Sequence, residues 1–539
     1  MNPFIDKTYA EAISYIAEHY GDTIALTYGD RDYSFRDIKR EADLASARLA
    51  ALGVKPGETV ALWITNRPEF AWLWLGAAQM GVIPVVLNTR LRLAEFQYQI
   101  SQSESVLVFV PGPGDFRNFL SELADVCPAI REGELPAEPF PHLRKVVSLD
   151  PPEEAWPNVI DYTTLGSELP VPDYIDDPLA PGLIAYSSGT TSLPKGVMLS
   201  HCVWRKAHDI AGYLDLTPRD CLYLAVPLFG VFGFLNGLLV FWSQGSRIIL
   251  RERFDAGDFI RTVRDDKCSF SQLMPAMVER TIRHPEFEIE TMKTLRGGTL
   301  LSSRSEDLQR TIDMLDAPGF APAYGLTETT GPVTRCRWDD PLEARLSHFG
   351  WPLPDCSIRI VGVETGEDLP QGEEGEILIR GYPVMLGYFR KAEQTAETIL
   401  ENGWLKTGDL GFQNPDGSLK FLRRIKDGYK HKGFNVSTPE VESAILKIPG
   451  IDSAAVVGIP DPEFGECGAA FIIPAKDAAP DPEEIINHLR NELASFKVPK
   501  IVFAVDSFPL TSGTDKVQKF KLRDMAIEKL GDRVEQTSK

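Results

Sequence analysis

Five short runs of continuous apolar residues constrain this chain more than any other feature: TVALWI (59–64), SVLVFV (105–110), GLIAYS (182–187), CLYLAV (221–226) and SRIIL (246–250). Each is too short for a buried helix and lacks the polar alternation of a half-exposed strand. Such runs suit strands covered on both faces, which occur mainly in parallel sheets flanked by helices. Between them lie helical patterns. Phe35, Ile38, Ala42, Ala45, Leu49 and Leu52 share one helix face, with Ser34 and Asp37 to cap its start and Gly53 to stop it. The expected class is α/β with substantial parallel sheet.

Later segments differ. CSIRIVG (356–362), EGEILIRG (374–381) and GSLKFLRR (417–424) are punctuated by glycine and acidic turns, as antiparallel strands are. After Arg424 the pattern restarts. HKGFNVS (431–437) precedes a helix from about Pro439, then DSAAVVGI (452–459), AAFIIPA (469–475), a helix through PEEIINHLRNELASF (482–496) and KIVFAV (500–505). This is a small α+β unit, with its boundary placed at Lys426. The expected domains are 1–425 and 426–539. Residues 131–158, rich in Pro and Glu, are expected to form a surface excursion.

Length and charge narrow the function. A chain of 539 residues can bury a large core, and a net charge of −21 argues against nucleic acid or an anionic membrane as partner. An anionic ligand would need local backbone N–H groups and a few placed cations. The seven scattered cysteines form no C-x-x-C, so reduced thiols in a cytoplasmic protein are expected. The N-terminus lacks the apolar core of a secretory leader. FAWLWLGAAQMGVIPVV (70–86) approaches membrane length, but Gln79, two glycines and Pro84 make a buried helix followed by a strand the expectation.

YSSGTTSLPKGVM (186–198) runs from a strand into a loop of hydroxyls and glycines ending on one cation, Lys195. Backbone N–H groups, O–H donors and an ammonium are the parts that grip phosphate. It is no Walker A loop, because Pro194 precedes the lysine and Gly196 follows it. The stretch resembles the signature loop of the AMP-forming adenylating superfamily, which includes acyl- and aryl-CoA synthetases, adenylation domains and firefly-type luciferases. Ser187 replaces the usual Thr and Ser192 the usual Gly. Further motifs follow in the family's order over essentially the whole chain.

The resemblance implies roles for particular residues. Ser187, Ser188, Gly189, Thr190, Thr191 and Lys195 would hold ATP phosphates. In AYGLTETTG (323–331), Tyr324 and Gly325 would sit against adenine, Thr327 would donate to the α-phosphate, and Glu328 would bind Mg²⁺. Gly298 and Thr299 of RGGTLLS (296–302) would line the adenine and acyl pockets. Asp409 of WLKTGDLG (404–411) would accept from the ribose hydroxyls, and Arg424 would hold ribose or phosphate. Lys426 stands at the hinge, and Lys430, Lys432, Gly433 and Phe434 would flank the path of the CoA thiol. Arg423 replaces the usual Gly there. In FPLTSGTDKVQKFKLR (508–523), Lys516 matches the catalytic lysine despite one residue inserted after Thr511 and Asp515 in place of Gly.

The implied fold is a large N-terminal adenylating domain with a small mobile C-terminal domain. The implied function is ATP-dependent acyl-CoA synthesis through acyl-AMP, as in fatty acid metabolism, with ATP, Mg²⁺ and coenzyme A required. The partners are small molecules, with a homodimer left open. In VPLFGVFGFLNG (226–237), Gly230 replaces the family's His among Phe229, Phe232 and Phe234. That replacement would open an acyl pocket for a hydrophobic acid, long-chain or bulky and cyclic or aryl. Alternatives are a ligase loading a carrier protein and a non-catalytic acyl- or nucleotide-binding paralogue.

Overall fold

The computed structural model describes residues 2–187, 193–302, 304–425, 428–431, 434–461, 465–510 and 517–537. All five apolar runs are strands, in two large sheets. One has eight strands, in the order 387–388, 195–200, 181–187, 83–86, 59–62, 107–110, 145–148 and 159–161. Its pairs are parallel from 181–187 onward, and the first two are antiparallel. The other has seven, in the order 319–320, 297–300, 270–273, 221–224, 247–250, 24–28 and 31–34, parallel except for the last pair. One apolar core joins them, with Leu62 from the first sheet and Leu222 and Ile248 from the second.

Helix Phe35–Ala51 packs into that core through Phe35, Ile38, Ala42, Ala45 and Leu49. Its start is closed reciprocally: Asp37 N donates to Ser34 Oγ at 3.1 Å, and Ser34 N donates to Asp37 Oδ2 at 2.9 Å. Leu52 lies just past the helix end, as its C-cap. The candidate membrane stretch is helix Pro68–Gln79 followed by strand Ile83–Val86. No described helix is long and apolar enough to cross a membrane. All seven cysteines are free thiols.

The excursion at 131–158 needs correction. Lys145–Ser148 inside it is a strand, parallel to Leu107–Val110, with three of its four residues buried. Only two of those four residues are strongly apolar, too few to stand out among prolines and glutamates.

Strands 356–361, 375–381, 405–413 and 419–424 form an antiparallel sheet, as their punctuation implied. The smaller C-terminal domain has its own sheet: hairpin 428–431/434–437, strands 451–461 and 465–474, and Ile501–Ala504 alongside. Alternation sorts its faces. Val456, Ala470 and Ile472 pack with Val441, Ile485 and Leu489, whereas Ala455, Val457 and Phe471 pack with Leu522 and Ala526. Neither of these two clusters includes a residue before Tyr429 among its buried members. Ser437 takes the N-cap position of helix Thr438–Ile445, without a side-chain capping bond.

Candidate active site

Strands Pro181–Ser187 and Lys195–Ser200 form an antiparallel hairpin that brings Ser187 opposite Lys195. Ser188, Gly189, Thr190, Thr191 and Ser192 lie outside the described residues. Gly387–Tyr388 adds to the hairpin's edge, pairing with Met198 and Val197. That pairing places the Lys195 ammonium 4.5 Å from the centroid of the Tyr388 ring, a cation–π contact.

The Tyr388 hydroxyl in turn donates to Glu328 Oε1 at 2.9 Å. Glu328 belongs to a single 3₁₀ turn, Thr327–Thr329, whose exit at Thr330 has a left-handed backbone (φ 62°). The Glu328 carbonyl is fixed as well, accepting from Met385 N at 2.8 Å. Oε2 accepts no bond among the described residues, and no cluster of three metal-ligating side chains occurs among them. A single hard carboxylate oxygen fits Mg²⁺, which keeps waters and takes its other ligands from substrate phosphates.

Behind the turn, the Lys206 ammonium donates to Thr329 O at 2.7 Å from a buried position. Burial pushes its pKa down to about 7. Lys206 lies on one face of helix Val203–Leu214 with Val203, Ala207 and Ile210, all buried. A lysine on an apolar stripe was the signal available for it. Tyr388 had no local signal, because its partners lie far away in sequence.

Tyr324 donates to Asp409 Oδ2 at 2.8 Å, and Arg424 Nε stands 3.5 Å from Asp409 Oδ1. Asp409 and Arg424 are register partners on strands 405–413 and 419–424. Gly408 just before Asp409 has φ +70°, a conformation that disfavours any side chain, with its N–H held by Glu376 Oε1 at 3.1 Å. The Tyr324 ring stacks on Phe421 at 5.5 Å and is 6% exposed. Burial, with the Asp409 charge, holds its phenol well above the usual range.

Gly298 faces the neighbouring strand so closely that a Cβ would lie 1.8 Å from Ser271 O. Gly325 is equally tight against Gly331 O, at 2.0 Å. Thr299, next along, accepts from Arg335 Nη2 at 2.9 Å.

The four candidate acyl-pocket residues separate. Phe234 is a core ring, edge-on to Phe70 at 5.1 Å and Trp74 at 4.3 Å. Phe229 lines a cleft of about 590 Å³ with Asn66, Arg67, Arg90, Asp150 and Arg253. Phe232 is half-buried. A Cβ on Gly230 would meet only Pro227 O, at 3.6 Å. The space beside it is open. By contrast, a Cβ on Gly233 would lie 2.4 Å from the same oxygen.

Lys426, Lys432, Gly433 and Lys516 lie outside the described residues. Lys430 and Phe434 are backbone positions on the hairpin, opposite Asn435 and His431. Lys519, three residues after Lys516, is committed within the small domain: its ammonium is 2.7 Å from Glu442 Oε1 and donates to Thr438 Oγ1 at 2.8 Å.

Residues 14–389 match the model of the AMP-binding enzyme family, and residues 440–513 match the AMP-binding enzyme C-terminal domain. Among curated proteins, the chain is similar to the putative acyl-CoA synthetase YngI of Bacillus subtilis (strain 168), 30% identical over 98% of both chains. It is also similar to the mitochondrial medium-chain acyl-CoA ligase ACSF2 of Mus musculus, 28% identical over 98% of this chain and 88% of that one. Among solved structures, ATP-bound MatB from Rhodopseudomonas palustris superposes with a TM-score of 0.83 at 26% identity, covering 96% of this chain and 98% of MatB. The O-succinylbenzoate CoA synthetase MenE from Bacillus subtilis, with AMP, gives 0.80 at 25% identity, covering 96% and 98%.

Proposed function

This chain belongs to the AMP-binding enzyme family and is an AMP-forming acid–CoA ligase, using ATP, CoA and a carboxylic acid; we propose that its acid is hydrophobic, long-chain or bulky and cyclic or aryl. The observation that carries the substrate proposal is the open space at Gly230, beside half-buried Val231 and Phe232. An apolar body filling that space would gain about 0.8 kcal/mol per buried methylene.

The residue assignments are ours. The carboxylate of the acid attacks the α-phosphorus of ATP, and pyrophosphate leaves. Two anions must meet, so placed positive charge and hydrogen-bond donors set the rate. Loop 187–195 holds the outer phosphates, with Lys195 oriented by the Tyr388 face. Thr327 donates to the α-phosphate. Glu328, fixed by Tyr388 through one oxygen, would hold Mg²⁺ with the other, and the ion would offset phosphate charge there. Asp409 and Arg424 hold the ribose, and Tyr324 keeps Asp409 in place. Lys516 bridges carboxylate and phosphate in this first step.

CoA thiolate then attacks the acyl carbon and AMP leaves. No side-chain nucleophile takes part. We place the domain boundary between residues 425 and 426, and assign Lys426 as the hinge about which the small domain withdraws Lys516 and presents Gly433 to the thiol. The separate apolar clusters from Tyr429 onward support that division. A panel of short, long and aryl acids with ATP, Mg²⁺ and CoA tests the substrate reading. Pyrophosphate release and the thioester mass should be largest for long or bulky acids. Preference for acetate would refute it.

A further inference from the structure

Arg335 is 1% exposed, and its side chain's one hydrogen bond among the described residues goes from Nη2 to Thr299 Oγ1. Its Nε is buried and unpartnered. No carboxylate among the described residues pairs with it. Its neighbour Cys336 does not supply a charge either, because burial pushes that thiol up to about 12. Burial alone drags the guanidinium down to about 10. Arg345 shows what a satisfied buried arginine looks like here: it donates to the carbonyls of Pro318, Phe320 and Asp340. A buried cation with no countercharge and a single neutral hydrogen bond is costly for a fold to hold.

Arg335 also ends a polar row. Thr299 is the register partner of Gln272 on the adjacent strand. Gln272 Nε2 donates to Asn236 O at 2.7 Å, and Asn236 Nδ2 donates to Val231 O at 2.7 Å. Two amide oxygens in the row, Asn236 Oδ1 and Gln272 Oε1, are buried and unpartnered. Gly331 makes room for it: a Cβ there would stand 2.2 Å from Asn236 Nδ2. The row therefore runs from the segment beside Gly230 to the strand that follows the Thr327–Glu328 turn. Among the described residues the row thus holds one buried unpartnered donor, Arg335 Nε, suited to an anionic oxygen, and two unpartnered acceptors, Asn236 Oδ1 and Gln272 Oε1, that call for donors such as water.

We propose that Arg335 is a specificity-determining residue of the acyl site, and that the acid carries, besides the carboxylate that is activated, a second carboxylate that docks on Arg335 beside Thr299. This rests on the ligase reading above and refines its substrate: an apolar body by Gly230 and Phe232, with an anionic group at the Arg335 end. Water drawn in with that group would donate to the two amide oxygens.

The test uses the full-length enzyme and matched pairs. Straight-chain α,ω-dicarboxylic acids of four to twelve carbons are each assayed beside the monocarboxylic acid of the same length, and benzoate beside its three carboxy-substituted isomers. In at least one pair, kcat/KM should favour the diacid by roughly a hundredfold or more, since a site built for a polar group strongly rejects the analogue lacking it. Arg335→Met should invert that pair, with the diacid falling and the monoacid gaining. It should also raise the melting temperature, because a buried unpaired charge is gone. The proposal is overturned if the monoacid wins in every pair, if Arg335→Met moves both members alike, or if it lowers the melting temperature as loss of a structural arginine would. Absence of pyrophosphate release with every acid would instead sink the ligase reading itself.

Discussion

Tyr388 donates its hydroxyl to Glu328 Oε1 at 2.9 Å, across sixty residues of sequence. The same ring carries Lys195 on its face. One aromatic side chain thus contacts both the candidate phosphate-binding cation and the candidate Mg²⁺ ligand. Tyr388→Phe keeps the ring and removes only the bond to a carboxylate, an interaction of about 1.5–3 kcal/mol. Acid-dependent pyrophosphate release should fall roughly ten- to a hundredfold, with a higher Mg²⁺ requirement. Transfer from supplied acyl-AMP to CoA should persist. An unaltered Mg²⁺ dependence would detach Tyr388 from the metal's ligand.

Much of this was legible beforehand, for identifiable reasons. Apolar runs and helix caps are local, so the strands at 59–62, 107–110 and 221–224 and the Ser34 cap followed from sequence. Motif residues such as Glu328 and Asp409 could be singled out as candidates because their spacing is itself local. Tyr388, Arg335 and Gln272 were not, because the partner of each lies far away in sequence. Lys206 was overlooked although its helix face was readable. Strand Lys145–Ser148 was hidden because it is short and only two of its four residues are strongly apolar.

Lys206 should shape the pH dependence of stability. Its pKa is about 7 in the fold, against an ordinary 10.5. Between those values the unfolded chain holds a proton that the folded chain has released. Stability therefore rises with pH through that window, by at most about 1.4 kcal/mol per pH unit from this group, and gains nothing from it below pH 7. Denaturant midpoints from pH 7 to 9.5 should climb less steeply in Lys206→Met. Parallel profiles for the two proteins would show that the ammonium stays charged.

Gly230→His should shrink the acyl space, because nothing but Pro227 O now borders that position. A substrate losing two or three buried carbons should drop by roughly one to two powers of ten in kcat/KM. Short acids should be spared, and the KM for ATP should hold. A uniform loss over short, long and aryl acids would instead point to local distortion.

Lys516 and Lys519 should separate cleanly. Lys519 is occupied by Glu442 and Thr438, so Lys519→Ala should mainly loosen the small domain. Lys516→Ala should abolish acyl-AMP formation yet leave transfer from supplied acyl-AMP to CoA nearly intact. If Lys519→Ala gives that split, the residue inserted after Thr511 shifts the catalytic lysine.

The central claim is that the acid's own oxygen attacks the α-phosphorus of ATP. Supplying a turned-over acid with both carboxylate oxygens as ¹⁸O tests this in one mass-spectrometric measurement of the nucleotide and phosphate products. AMP should carry one ¹⁸O per turnover and pyrophosphate none. Label in orthophosphate together with ADP, or unlabelled AMP, would contradict the account.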